Sequence, residues 1–344
     1  MDCSAFASGF LFFKKEIDAL CIEIQAPLRL IVGFSGGSDS SLLLAYLYQY
    51  MILFPERISF VLVIHIHDSL GVHFPELKKS EEEEEALFLE KKDFYKTFMF
   101  EYISLPPDYL SNDESLEDAM HKKRKEIFLK KKDEYAADRV LLGHHKNDQV
   151  EHFFIGLIRG ASLKRMSGMR VDSGLFLRPF LGLSKKNILE ALHEKKINFV
   201  SDPSNELLFS LRNKIRKNLL PILFSLDERA EKNILNTMKK LQERENFFDR
   251  ESKKHYKAVV QNDSLFSLKE FLELDEIFQK EILQTLFYKN NASVLFNEKI
   301  FQEIKRFLLH GKKNNHQIGN IRLTCRKEAN QVILVYNALN LLNT

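Results

Sequence analysis

The sequence predicts an α/β fold: a parallel sheet with helices on both faces, followed by a mainly helical region that ends in a small β-hairpin. Three observations lead there. Apolar, β-branched runs alternate with helix-period segments four times in the first half, which is how a parallel sheet covered by helices is wound. Turn residues are confined to that half: ten of the 13 glycines lie between Gly33 and Gly182, none between Leu183 and His310, and all eight prolines lie at or before Pro221. The chain has 344 residues, more than one core usually holds. The asymmetry therefore reads as two domains, residues 1–210 and 211–344.

Leu28–Phe34 (LRLIVGF) is a short apolar run that ends in a Gly/Ser cluster, a buried strand feeding a tight turn. Ser38–Ile52 has no breaker and forms a helix. Ile58–His67 (ISFVLVIHIH) is a second strand buried on both faces. Ser80–Phe94 is helical, with Ser80 and Glu83 at capping-box spacing and the acidic run Glu81–Glu85 complementing the helix dipole. Glu101–Leu105 is a third strand stopped by Pro106-Pro107, Ser115–Ala137 a long basic helix, and Arg139–Gly143 a fourth strand. A helix starts near Asn147, Met169–Leu181 is a short hairpin or strand, and Ser184–Lys196 is a helix. Beyond Leu211 the pattern is helical over Arg212–Phe224, Asp227–Gln261, Leu268–Lys289 and Asn297–Leu309. Ile321–Arg326 and Gln331–Tyr336 form the terminal hairpin.

Hydrophobic residues at 44% and charged residues at 29% exclude a disordered or collagen-like chain. Cys3, Cys21 and Cys325 are odd in number and scattered, which predicts a reducing, cytoplasmic setting and neither a zinc knuckle nor a disulfide framework. The apolar stretch Phe10–Phe13 runs into Lys14-Lys15 rather than following basic residues, the wrong order for a signal peptide. No run of 18 apolar residues exists, so no membrane association is expected. A net charge of +3 names no partner.

The chemistry is carried by Gly33-Phe34-Ser35-Gly36-Gly37-Ser38-Asp39-Ser40-Ser41, where the first strand turns into a helix. Glycines let backbone N–H groups approach an oxyanion, and the helix N-terminus adds partial positive charge. Ser35, Ser38 and Ser40 add hydroxyl donors. No Walker lysine and no G-x-G-x-x-G is present, so a P-loop NTPase and a dinucleotide fold do not fit. The competing reading is an ordinary glycine turn with serine caps. A second constellation, Gly143-His144-His145-Lys146-Asn147-Asp148-Gln149-Val150-Glu151, lies at the end of the fourth strand, on the sheet edge where ligands of open α/β sheets bind. His145, Asp148 and Glu151 recur at i, i+3 and i+6. A histidine and a carboxylate there suit the positioning and deprotonation of an amine; a helix cap built on Asn147 or Asp148, or a metal held by the two histidines and Asp148, fits the same residues. The sequence names no metal ligand.

The Ser-Gly-Gly-x-Asp-Ser signature resembles the pyrophosphate loop of the ATP pyrophosphatases, a Rossmann-like PP-loop superfamily that splits ATP between its α and β phosphates. Leu157-Ile158-Arg159-Gly160-Ala161, Met166–Met169, Leu177-Arg178-Pro179-Phe180, Ser201–Asn205 and Arg212–Pro221 extend the likeness. Together, from about Arg29 to Pro221, the chain resembles the bacterial tRNA(Ile)-lysidine synthase family. That resemblance implies ATP and Mg2+ as cofactors and, as substrates, L-lysine and an isoleucine tRNA with anticodon CAU. The wobble cytidine is adenylylated at its C2 oxygen and lysine displaces AMP to give lysidine. It further implies that Ser35, Gly36, Gly37, Ser38, Asp39 and Ser40 grip the pyrophosphate, that Asp39 positions metal or phosphate, and that Asp148 with His145 handles the amine. Residues 1–210 become the catalytic domain and residues 211–344 a tRNA-binding domain.

Two segments depart from the family pattern. His65-Ile66-His67-Asp68-Ser69-Leu70-Gly71 lacks the second histidine and the arginine of the usual His-x-Asn/Asp-His-Gly-Leu-Arg segment, and His65 and His67, on one strand face, suit packing as well as catalysis. Ser115–Arg124 matches in part, with Arg124 in the arginine position and Glu117 in the acidic one. For RNA, Lys122–Lys132 holds seven basic residues, which Ile127, Phe128 and Leu129 would turn outward as either a phosphate-binding or a merely solvated face. Arg212, Lys214, Arg216 and Lys217 lie in a stretch with no acid, and are read with Arg124 as RNA contacts. A tRNA thiolase of the same superfamily and a non-catalytic RNA-binding relative are the alternatives.

Overall fold

A computed structural model describes residues 4–69, 78–106, 116–200, 211–290, 292, 294, 296–310, 314–327 and 329–336. It forms two compact units, residues 1–241 and 242–344. They divide inside a long helix rather than at residue 210, because the helices after Leu211 pack on the first unit's own apolar cluster of Val150, Ile215 and Leu220.

The first unit opens with helix α1 (Ala5–Ile24), unforeseen in the sequence although Phe10, Phe13, Ile17 and Leu20 recur on one face and are buried. Then follow β1 (Leu28–Gly33), α2 (Ser38–Leu53), β2 (Ile58–His67), α3 (Lys78–Phe94), β3 (Met99–Ser104), α4 (Leu116–Glu134), β4 (Arg139–Leu141) and α5 (Lys146–Ile158). A short α6 (Leu163–Met166), β5 (Phe176–Leu177) and α7 (Lys185–Lys195) complete the sheet region. The strands are ordered β3-β2-β1-β4-β5 and all neighbours run parallel. The expected fold class is thus the observed one. The order reverses beside β1, so the ends of β1 and β4 flank the crevice in which such sheets bind ligands. Both sheet faces are covered: Leu30, Val32, Tyr46 and Leu47 lie in one core cluster, and Ile31, Leu62, Ile64 and Phe128 in another.

Local departures have local causes. Ser80 is buried within α3 rather than capping its start. Leu129, expected inward on α4, is 42% exposed while Phe128 faces the core. The helix after Leu211 is interrupted: α8 (Leu211–Lys214) passes into a π-helical turn, Ile215–Leu219, before α9 (Leu220–Leu226).

The second unit begins within α10 (Ala230–Val259). The expected Asp227–Gln261 helix stops short because Val260–Asn262 (β6) pairs with Leu265–Ser267 (β7). Helices α11 (Leu268–Leu272), α12 (Glu276–Lys289) and α13 (Glu298–His310) follow, then β8 (Asn315–Ile318), β9 (Ile321–Arg326) and β10 (Gln331–Tyr336). The expected hairpin is present as β9–β10, and it is the centre of a five-stranded antiparallel sheet, β6-β7-β10-β9-β8. Phe266, Leu283, Phe301, Ile321 and Val332 fill the core of this unit. Among the described residues, no helix is long and apolar enough to cross a membrane.

Candidate active site

The glycine loop is braced from within. Gly36 takes φ +79°, a conformation that side chains rarely adopt. Ser40 Oγ donates to the Gly37 carbonyl at 3.0 Å and accepts from the Ser35 N–H at 3.2 Å. Gly37 starts α2 with no side-chain cap, so the N–H groups of the first turn lack helical acceptors and point out of the sheet edge. Gly143 lets β4 approach: a Cβ there would stand 3.0 Å from the Asp39 main chain.

The end of β4 delivers His145 and Asp148 to the same place. His145 caps α5 by accepting from the Asn147 N–H through Nδ1 at 3.2 Å, and Asp148 returns a bond from the His145 N–H at 2.8 Å. With Nδ1 an acceptor, the imidazole proton sits on Nε2, which faces Asp39 Oδ1 at 3.8 Å and Asp148 Oδ2 at 3.7 Å. Cap and crevice wall are therefore the same residues, and Asp39, His145 and Asp148 converge. One turn on, Glu151 is 1% exposed and holds Arg216 by two bonds of 2.7 and 3.0 Å. Burial opposes the Asp148 charge, yet His145 and His144 keep its carboxyl below the usual range. Burial lifts Glu151 above it despite Arg216. Two carboxylates one turn apart are thus driven in opposite directions by their surroundings.

The basic segment divides by exposure. Lys214 and Lys217 are exposed, whereas Arg212 and Arg216 are half-buried and turned toward Glu151, with Arg212 Nε 3.9 Å from Glu151 Oε2 and Arg216 Nη2 3.7 Å from Asp148 Oδ1. The π-helical turn at Ile215–Leu219 adds a residue to the helical repeat here.

At the end of β2, His65 is 1% exposed. Its Nδ1 is 3.0 Å from the Phe34 carbonyl, its ring stacks on Tyr102, and burial pulls its pKa down to about 4. His67 lies 3.8 Å from Glu81 and His65 lies 4.0 Å from Glu84. Two members of the acidic run thus face these histidines instead of only complementing the α3 dipole. Arg124 pairs with Asp68. The Ser201–Asn205 motif, His73 and the Glu117 side chain lie outside the described residues. Among the described residues, no cluster of three or more His, Cys, Asp or Glu is arranged to hold a metal.

Residues 12–223 match the family model of the ATP-binding PP-loop domain, the segment that carries this loop and crevice. The chain belongs to the PP-loop family. Its similarity to curated tRNA(Ile)-lysidine synthases is extensive: 28% identity to that of Francisella philomiragia, covering 91% of this chain and 75% of that one, and 30% to that of Treponema denticola, covering 64% and 47%. Among solved structures it is similar to the U34-tRNA thiolase NcsA of Methanococcus maripaludis with its [4Fe-4S] cluster, with a TM-score of 0.48, 14% identity, and 67% of this chain and 79% of that one covered.

Sequence reasoning passed over three groups of this PP-loop site. Lys185, 146 residues from Asp39, bonds it at 2.7 Å and Ser38 Oγ at 2.6 Å. No spacing pattern signals such a contact. Burial holds the His144 pKa at about 4, and its Nδ1 has no hydrogen-bond partner among the described residues. Arg178, within the Leu177–Phe180 segment, donates to the Arg170 carbonyl at 3.1 Å, and its charge bears on His144.

Proposed function

We propose that this protein ligates lysine to the wobble cytidine of the CAU-anticodon isoleucine tRNA, using ATP. The observation that carries the reading is the meeting of the phosphate loop with Asp39, His145 and Asp148 in one crevice. The loop's N–H groups and hydroxyls would receive the triphosphate. The cytidine C2 oxygen attacks the α phosphorus, the bond to the β phosphate breaks, and pyrophosphate leaves. The lysine ε-amine then adds at C2, and AMP departs with the C2 oxygen. Asp148, kept ionised by its neighbours, orients the ammonium and takes the proton the amine must lose. Adenylylation divides one hard substitution into two easier ones, because it turns a poor leaving group into a good one.

Magnesium binds through one or two carboxylates plus phosphate oxygens, and Asp39 at the mouth of the loop is a hard oxygen donor of that kind. There the ion would neutralise phosphate charge. Lys214 and Lys217, with Arg124, offer the tRNA backbone a sequence-independent grip; Arg212 and Arg216 join it while also holding Glu151. The division into a catalytic and a tRNA-holding part belongs to the same proposal, as does a cytoplasmic setting, which ATP and tRNA require. An unstacked cytidine in a loop is cheap to extract.

Incubating the protein with ATP, magnesium, labelled lysine and a CAU-anticodon isoleucine tRNA transcript should label that tRNA and not a methionine tRNA carrying the same anticodon. A tRNA thiolase would instead transfer sulfur from a donor. A non-catalytic relative would bind the tRNA without consuming ATP.

A further inference from the structure

We propose that the turn joining α5 to α6 is a wedge for the anticodon loop. Leu157, Ile158 and Leu163 enter between loop bases and keep the wobble cytidine out of its stack, while Arg159, Lys164 and Arg165 meet the neighbouring phosphates. The inference rests on the tRNA reading of the crevice and names a surface that the reading leaves unused.

Charge and apolarity are both uncommon in this stretch. No Asp or Glu occurs from His152 to Val171, which holds four basic residues, Arg159, Lys164, Arg165 and Arg170, all exposed. In the same turn three aliphatic side chains face solvent: Leu157 is 53%, Ile158 56% and Leu163 58% exposed. A lone exposed leucine needs no explanation, whereas several gathered at one turn among positive charges mark a binding surface. Phosphates complement the charge, and Leu or Ile side chains are what proteins insert between base steps to unstack them.

The turn is firmly held. Gly160, at φ +62°, reverses the chain after α5, and a Cβ there would meet nothing within 4 Å, so the tip stands in the open. The Gly160 N–H donates to the Leu157 carbonyl at 3.3 Å and the Ala161 N–H to the Gly156 carbonyl at 2.9 Å, which closes the end of α5. Ser162 caps α6, and His152 Nε2 lies 3.1 Å from the Arg165 carbonyl, tying α6 to α5. A soft turn would fold its aliphatic groups away; a braced one can enter a stack. Helix α5 also sets the distance to the chemistry. Asp148 and Ile158 lie on the same helix, about 15 Å apart along its axis. That is about four to five nucleotides of a stacked strand, so one loop can span both.

The test uses the full chain and an anticodon stem-loop RNA of the CAU isoleucine tRNA. The adenine after the wobble cytidine is replaced by 2-aminopurine, whose fluorescence rises on unstacking. Binding should raise the signal. Replacing Leu157, Ile158 and Leu163 together by Ser should abolish the rise and weaken stem-loop binding about tenfold, while the circular dichroism spectrum and binding of a loopless RNA duplex are kept. Ile158→Ser alone should lose part of the rise, which keeps the test open if the triple variant does not fold. Arg165→Ala should keep the rise and flatten the salt dependence of log K by about 0.7. An unchanged rise in the Ser variants, or equal weakening of stem-loop and duplex, overturns the inference. So does unchanged RNA binding with loss of self-association or of binding to anionic lipid vesicles, which would assign the patch to a second copy or a membrane. No ATP or lysine enters the measurement: absent lysine transfer sinks the proposed reaction, whereas an absent fluorescence change with transfer intact sinks only the wedge.

Discussion

Two charged clusters stand at the carboxyl edge of the same parallel sheet. At the ends of β1 and β4, Asp39, His145, Asp148, Glu151, Lys185 and Arg216 come from four separate stretches of chain and bond chiefly to one another. At the end of β2, His65 and His67 lie against an aromatic ring, Tyr102, with Glu81 and Glu84 alongside and Arg124 paired to Asp68. The first cluster is a set of charges around a crevice, the second a strand end knitted into packing. The sequence keeps the family pattern in the first and departs from it in the second. Where the pattern holds, the chain meets in a site; where it fails, aromatic and histidine rings fill the edge.

The largest expected effect belongs to the first cluster. Asp39→Ala should lower lysine transfer at least about 10²- to 10³-fold, the usual cost of losing one group that manages transferring phosphate charge, while tRNA binding measured by filter retention is kept. A loss of similar size at His67→Ala would erase the contrast between the clusters.

Stability should separate them next. Glu151→Gln leaves the half-buried Arg216 against a neutral partner at a carboxylate position that is 1% exposed, and should cost about 1–3 kcal/mol, because solvent screens part of the lost charge pairing. Asp68→Asn removes a partner from Arg124, whose side chain is 45% exposed, and should cost about 1 kcal/mol or less. Urea unfolding of both variants checks the ratio; equal losses would contradict the difference in burial.

The second cluster should reveal itself through pH. Burial depresses the folded-state pKa of His65 to about 4, below the usual 6.5 of an unfolded histidine. The unfolded chain therefore takes the proton first. The stability contributed by neutral His65 is complete above pH 6.5 and is lost as pH falls toward 4. The slope is about 1.4 kcal/mol per pH unit where only the unfolded state is protonated. His144, held at about 4 in the first cluster, adds a slope of the same sign. Replacing His65 by Gln should remove its share and leave that of His144; an unchanged slope would place His65 outside the core.

The smallest effect lies on the outer face of the segment that feeds the first cluster. If Lys214 or Lys217 meets a phosphate, its replacement by Ala should flatten the dependence of log K on log salt by about 0.7–0.9. Binding curves at several salt concentrations read this directly.

These differences also mark what sequence can reveal. Strand-to-loop-to-helix transitions, such as Leu28–Gly33 into Ser38–Leu53, were legible because apolar runs, glycines and helix periodicity agree locally. The loop residues Ser35–Ser40 and the pair His145 and Asp148 were legible because their spacing is short. Lys185 was not, since its contact with Asp39 exists only after α7 has packed beside α2. Nor was the inward turn of Arg216, which depends on the partner Glu151 and on a π-helical turn without a sequence signature. The β6–β7 pair was hidden because Val260–Asn262 continues an amphipathic helix, and only pairing with Leu265–Ser267 makes it a strand.

The central claim is that the first cluster activates a cytidine with ATP and then admits an amine. The direct measurement is transfer of labelled lysine to CAU-anticodon isoleucine tRNA, with AMP and pyrophosphate counted in the same reaction. One AMP and one pyrophosphate are expected for each lysine joined, with dependence on ATP and magnesium and no labelling of the methionine tRNA. ATP binding without lysine incorporation into either tRNA would contradict it.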